Sequence, residues 1–328
     1  MIANPIPWPD GARCAVAMTW DMDADSAFNW YNQETADNLV ATQQWARYDP
    51  LIAIPRLVEQ FARLELRQTF FVPGWVIEKY PAQIDLLLKN GHEIGLHGYL
   101  HERSNEIDKD DEHYWLGRAL DAYRKHVGAR PRGWRAPSFA FSKYSLRYLI
   151  DAGFEYDSSL MGDDIPYALR DGSDSLLEFP VDWTLDDFPH YAHNRDLGYR
   201  MPISSPQRAM EVFRGEFDAA WNSAHSGFRS GTRPVGASRP IQGGPRTSRL
   251  HAHEGRRLVR PARPGARSRA KADGRGALDA ALRNCAGLPE PAPGTLQGTL
   301  TRQFRHQSDG REAANGAPLH TRRIYGSP

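Results

Sequence analysis

Two cysteines, Cys14 and Cys285, are all that the 328 residues contain. They cannot build the framework of a disulfide-stapled secreted domain, so a reducing compartment is the expectation. Met1 to Asp10 has neither a basic start nor an apolar core, and no secretory signal is expected. No apolar run reaches the length of a membrane-spanning helix, which points away from a membrane and toward a cytoplasmic location. Tryptophan is absent after Trp221, and Lys271 is the only lysine beyond it. Residues 222–328 carry 19 Lys and Arg against 6 Asp and Glu, so the net charge of +1 conceals an acidic body and an arginine-dominated tail. A stretch so poor in aromatics and so rich in Arg, Gly, Ala and Pro buries little surface. The expected organisation is a globular domain over residues 1–221 and a poorly ordered tail over 222–328. No internal repeat accompanies it.

What the chain does have is concentrated in Gly91-His-Glu-Ile-Gly-Leu-His-Gly-Tyr-Leu-His-Glu102. A buried strand from His92 to Leu96 is expected to end in a glycine-punctuated turn. His97 and His101 on that turn are four residues apart, a spacing at which two imidazoles can meet one metal ion. A catalytic zinc site needs one more protein ligand and an open position. The segment Thr19 to Ser26, with Asp21, Asp23 and Asp25, is the supplier upstream.

Strand and helix alternate along the body. Arg13 to Trp20, Gln68 to Val72, Pro131 to Pro137, Phe154 to Asp157 and Leu176 to Trp183 read as further strands. Helices are expected from Asp49-Pro50 through Leu64, from Pro81 to a Gly91 cap, and from Asp110 to Val127 before Gly128. Two more are expected, from a Ser142 cap to Gly153 and from Ser205-Pro206 to Trp221. Nearly every strand ends in a polar residue: Asp21, Asp23, His97, His101, Arg135, Asp157 and Asp182. In alternating folds the chemistry sits at the carboxyl ends of strands. The pattern predicts an α/β fold, a parallel barrel closed or nearly so, with its site on the carboxyl rim. The aromatics Trp20, Phe28, Trp30, Tyr31, Trp75 and Trp183 are candidates for a wall around it.

In this order the motifs Trp20-Asp-Met-Asp23, His97-Gly-Tyr-Leu-His101, Arg135-Ala-Pro137 and Asp157-Ser-Ser159 resemble the polysaccharide deacetylase superfamily, carbohydrate esterase family four. The resemblance covers about residues 12–221. The flanks Phe70 to Trp75, Gly162 to Tyr167 and Asp182 to Asp187 resemble the branch without a secretion signal. That branch includes peptidoglycan-deacetylase-like proteins and hydrolases of cyclic imides and ureides. The resemblance implies a distorted (β/α)7-type barrel. It implies Asp23, His97 and His101 as metal ligands, Asp21 as general base and Arg135 as the partner that keeps Asp21 ionised. A backbone N–H near Ser138 would help to polarise a carbonyl. Trp20, Tyr99, Ser138, Asp157 and Asp164 are the candidates for substrate contact or for support behind the ligands. Zinc fits two His and one Asp, and Co²⁺ or Ni²⁺ would also be accepted. The implied reaction is hydrolysis of a non-peptide amide of a small molecule or oligosaccharide, in a chain that could self-associate. An N-acetyl sugar competes with a cyclic imide or ureide as substrate.

The resemblance breaks after Trp221. The family needs a late strand ending in a His that protonates the leaving nitrogen, because amines leave poorly unprotonated. No in-frame segment offers one. Codons allowed for Ala224 to Arg233, read two nucleotides on, give Ala-Leu-Trp-Val-Ser-Val-Trp-His-Pro. Codons allowed for Leu250 to Pro261, read one nucleotide on, give Tyr-Met-His-Met-Lys-Gly-Gly-Val-Trp-Phe-Ala. The tail is therefore expected to be out of frame, the barrel incomplete at its C-terminal strands and the chain weakly active or inactive. The competing reading is an inactive barrel with a basic nucleic-acid-binding arm. Against it, the tail lacks the interleaving of basic and aromatic residues that such arms use.

Overall fold

The computed structural model describes Trp8, residues 14–196, 198–200 and 202–222, and the backbone of Phe228–Pro234. Eight strands form one sheet: β1 (Ala15–Asp21), β2 (Thr69–Val72), β3 (Glu93–Leu96), β4 (Gly133–Trp134), β5 (Tyr156–Asp157), β6 (Tyr167–Asp171), β7 (Asp174–Glu178) and β8 (Phe228–Pro234). Their spatial order is β6-β7-β5-β4-β3-β2-β1-β8. Every pairing is parallel except the β6–β7 hairpin, which turns at Gly172 with φ +60°. Among the described residues β6 and β8 do not meet, so the barrel is distorted and open, as expected.

The helices of the body are α1 (Ser26–Tyr31), α2 (Val40–Tyr48), α3 (Ile54–Arg63), α4 (Gly74–Lys79), α5 (Pro81–Lys89), α6 (Lys109–Val127) and α7 (Ser145–Ala152). Beyond the sheet's hairpin come α8 (Phe188–Tyr191) and α9 (Pro206–Asn222). Several stops are those the sequence announces. Gly128 and Gly153 end α6 and α7 in the left-handed conformation. The Asp108 carboxylate accepts the N–H groups of Asp110 and Asp111 at the start of α6. Ser142 Oγ accepts those of Tyr144 and Ser145.

One detail differs from expectation. The helix expected to begin at Asp49 is continuous with α2, through a π-helical stretch Asp49–Ala53. Pro50 has no N–H to donate, and the wider turn carries the chain past it. The segment expected as the C-terminal tail is described in part. It contributes β8, whose Cα positions pair with β1 from Ala15↔Phe228 to Asp21↔Pro234. The remainder of that tail, and the question of its order, lie outside the described residues.

The core lies between the sheet and its helices. Trp20, Phe61, Phe70, Val76, Ile77, Ile84, Leu87, Leu96, Ala119 and Leu149 are buried in one cluster. Because strand side chains alternate, Trp20 enters this core while Thr19 and Asp21 point to the opposite face. That alternation decides which residues at the end of β1 are available for chemistry.

Candidate metal and catalytic site

Three acids leave the end of β1, and each meets a different environment. Asp21 is 7 % exposed, and its Oδ1 accepts Nη1 of Arg135 at 2.7 Å. Asp23 stands beyond the strand, where the chain turns through Ala24 with φ +48°. Two buried carboxylates brace that turn. Asp49 Oδ2 accepts the Ala24 N–H at 2.9 Å. Asp25 is fully buried among Arg47 Nε at 3.1 Å, Lys79 Nζ at 2.6 Å and the Tyr80 hydroxyl at 2.8 Å. Asp25 is thus an anchor behind the site, not a ligand in it.

The histidine turn is built with equal care. The His97 N–H reaches Val72 O at 3.2 Å and the Arg135 N–H reaches Leu96 O at 2.9 Å, so β3 delivers His97 between its neighbouring strands. Gly98 adopts φ +69°, and a Cβ there would come within 2.9 Å of both Glu102 Oε1 and Pro137. His101 itself has φ +63°. The buried Glu102 carboxylate gathers the turn by accepting Tyr99 N–H at 2.8 Å and Leu100 N–H at 2.7 Å. Burial pushes Glu102 up to about 7, against the pull of those backbone donors.

These two loops bring Asp23, His97 and His101 together, with one ligand atom from each lying within 4.8 Å of the others. His97 Nε2 is 3.4 Å from Asp23 Oδ1, and His101 Nε2 is 3.5 Å from Asp23 Oδ2. His97 Nδ1 lies 2.8 Å from the Arg135 carbonyl, which can only accept, so Nδ1 carries the hydrogen and Nε2 presents a lone pair. Burial lowers both imidazoles, His101 to about 4. Burial raises Asp23 to about 7, with His97 lowering it and Asp21 raising it further. Asp23 Oδ1 is buried and accepts no hydrogen bond. The His97 Nε2 lone pair faces the Asp23 carboxylate, with His101 Nε2 beside it, in a two-nitrogen, one-oxygen set. That is the chemistry a divalent cation completes. The residues fit a zinc-type ion.

Arg135 ties this cluster to the next strands. It is fully buried, with its guanidinium 4.1 Å over the Phe71 ring. Nε donates to Ser158 O at 2.8 Å, Nη2 to Ser158 Oγ at 2.8 Å, and Nη1 to Thr19 Oγ1 at 2.9 Å and Asp21 Oδ1. Asp21 Oδ2 is left on the side of the histidines, 3.9 Å from His97 Nε2.

The other candidates fall elsewhere. Trp20 is a core residue, packed on Phe61 and donating from Nε1 to Gln68. Tyr99 is also buried, stacked on Trp115, with its hydroxyl between Glu78 and Arg118. Neither ring faces the ligand cluster, because both point into the helical layer. Asp157 is buried beside Glu178, under the Ser158-Ser159 turn. Asp164 is exposed on the loop before β6. Ser138 sits in a short helical turn at φ +54°, directly after Arg135-Ala136-Pro137. Of the aromatic wall, Phe28 is buried and Trp30 packs on Trp115, whereas Tyr31 and Trp183 are each 46 % exposed. Sequence reasoning missed Glu102 and Glu178. An acid inside an apolar strand, as in Leu176-Leu-Glu178, was the available signal for the second.

A family model described as polysaccharide deacetylase matches residues 50–156, a span that holds His97, His101 and Arg135. A protein of Mycobacterium smegmatis assigned to the polysaccharide deacetylases is 33 % identical. The match covers 83 % of this chain and 99 % of that one, with a TM-score of 0.70.

The chain belongs to the polysaccharide deacetylase family.

Among curated members of similar sequence, the peptidoglycan deacetylase of Helicobacter pylori is 26 % identical over 227 residues, 62 % of this chain and 78 % of that protein. The fold extends further than the sequence likeness. Puue allantoinase is 17 % identical with a TM-score of 0.66, covering 77 % of this chain and 87 % of that one. Asp21 closes β1, Asp23 follows it, and His97 and His101 follow β3.

Proposed function

We propose that this polysaccharide deacetylase family member is a metal-dependent hydrolase of N-acetyl amide bonds on a sugar. The observation that carries the reading is the convergence of Asp23, His97 and His101 beside an Arg-bound Asp21. Asp23 and the two Nε2 atoms would hold a divalent cation, zinc first among them. When bound, the cation supplies Lewis acidity, which lowers the pKa of water from about 15.7 toward about 7.

The rest is done by the chain itself. Asp21 Oδ2 takes the proton of the attacking water, and Arg135, bonded to Oδ1, holds that carboxylate in place. The buried surroundings of Asp21 and His97 exclude competing solvent. As the tetrahedral centre collapses, the amine must receive a proton before it leaves. Three of the described histidines outside the candidate ligand pair make contacts of their own. His92 accepts the Gln68 N–H, His113 packs on Tyr148 and His190 packs on Phe213.

The second part of the reading is that the gene is out of frame beyond Trp221. β8 occupies the segment where the shifted frame reads Val-Ser-Val-Trp-His-Pro. Val16 and Met18 on β1 are 38 % and 36 % exposed, although β1 has a strand on each side. Parallel sheets normally cover such positions with a crossover helix. Resequencing codons 215–265 is expected to find a missing or extra base; an intact frame removes this part.

Activity is tested on an N-acetylglucosamine oligomer beside succinimide and allantoin, using the chain as given and the chain restored in frame. Acetate release from the oligomer is expected of the restored chain, and little or none of the 328-residue chain. Asp21→Asn is expected to lower it by about 10²–10⁴-fold while metal content is unchanged. Turnover of the cyclic substrates alone would replace the deacetylase reading with a cyclic-amide one.

A further inference from the structure

Asp157 on β5 and Glu178 on β7 are paired in register, and both side chains are fully buried. One donor reaches both carboxyl groups: the Ser159 N–H lies 3.2 Å from Asp157 Oδ2 and 3.0 Å from Glu178 Oε1. Two carboxylates this close in a dry interior cannot both stay ionised. The hydrogen bonds indicate where the proton sits. Asp157 accepts Ser159 N–H, and Ser159 Oγ at 2.7 Å. Glu178 Oε1 accepts Ser159 and Leu160 N–H groups. Glu178 Oε2 is buried without a partner, so a hydrogen there has Asp157 to donate to. Burial and the adjoining Asp157 push Glu178 well above the usual carboxyl range; burial also raises Asp157, and the bond from Glu178, then Arg135 across the turn, restrain that rise. Tyr167 of β6 is the other titratable group that feels both acids.

The pair supports a chain of contacts that ends at the reactive carboxylate. Ser159 Oγ, donating to Asp157, accepts the Ala136 N–H at 2.8 Å. Ser158 next to it takes two of the Arg135 donors and donates from Oγ to Phe179 O at 3.0 Å. Nη1 of Arg135 is thereby left to Thr19 and Asp21.

We propose that Asp157 and Glu178 share one proton, carried by Glu178, and that this acid pair is a positioning unit that sets Arg135 against Asp21 through the Ser158-Ser159 turn. The link to a general base rests on the function proposed above; the shared proton and the placement of Arg135 do not.

The two acids are not equivalent, which makes the proposal testable by substitution. In Glu178→Gln the amide N–H replaces the O–H toward Asp157, and its carbonyl still accepts the backbone donors. In Asp157→Asn an N–H₂ group is forced against donors. On the full chain, infrared spectra at neutral pH are expected to show a buried protonated carboxyl that Glu178→Gln removes. The Arg135 Nε–H signal, assigned by its loss in Arg135→Lys, is expected to exchange within about threefold of the parent rate in Glu178→Gln. Asp157→Asn should raise it by about tenfold or more, as loss of a buried hydrogen bond implies. Should Asp157→Asn fail to fold, Ser159→Ala serves instead: it keeps both acids and the carboxyl band but severs the link, and the same acceleration is expected. No buried protonated carboxyl in the parent would overturn the proposal. So would equal acceleration in Glu178→Gln and Asp157→Asn, or none in Ser159→Ala. None of these readings needs turnover or metal, so an inactive chain would count against the hydrolase alone.

Discussion

Replacing His97 with alanine is expected to lower zinc affinity by more than about 100-fold, since losing a mere supporting residue at such sites costs 10–100-fold. Asp23→Ala should do the same, and Asp25→Asn, behind the turn, should do less. Isothermal titration with Zn²⁺ and Co²⁺ checks the order. The dependence on pH follows from burial. Asp23 without a cation is raised to about 7, and a carboxyl must be ionised to act as ligand. The histidines are lowered, His101 to about 4, and are neutral ligands throughout the neutral range. Affinity should therefore fall by about tenfold for each pH unit below 7, set by the carboxylate. Variants that kept full metal content would remove the ligand assignment.

The largest effect on stability is expected at Arg135. Arg135→Met keeps much of the side-chain volume over Phe71 but leaves Asp21, Thr19 and both oxygens of Ser158 without their donor. Removing one partner of a buried ion pair costs about 3–5 kcal/mol, because the remaining charge stays buried and unpaired. Urea unfolding should show a loss of that order. The double variant Arg135→Met/Asp21→Asn should recover part of it, since no charge is then stranded. Equal losses in the single and double variants would mean that packing over Phe71, and not the Asp21 pair, is what Arg135 supplies. Surface pairs such as Arg63–Glu59 are a control, where about 1 kcal/mol or less is at stake.

Much of the site was readable because chemistry and local pattern coincide. His97 and His101 stand beside a short apolar strand, and the acids follow another, so both signals survive without knowledge of the fold. Residue pattern alone marked Arg135 as a polar strand end, and the family resemblance made it the partner of Asp21. Trp20 and Tyr99 show the limit: each adjoins a ligand in sequence, yet strand alternation and the turn at Gly98 send both rings into the core. Glu102, Ser158 and Glu178 act through hydrogen bonds to backbone groups brought close by folding, and backbone contacts leave little trace in residue type. β6 was missed because its partner is β7 in a tight antiparallel hairpin, a departure from the alternating rule the body otherwise follows.

The sequence by itself determined the alternation of strand and helix, the two strand ends that carry the candidate ligands and the change of composition after Trp221, because periodicity, residue chemistry and composition are local properties. The tertiary structure alone decided that Asp23 meets both Nε2 atoms, that Asp21 faces Arg135 across more than a hundred residues, and that two buried acids stand side by side behind them. Those relations depend on sheet order and register, which are set by the packing of the whole body and by no single stretch of it.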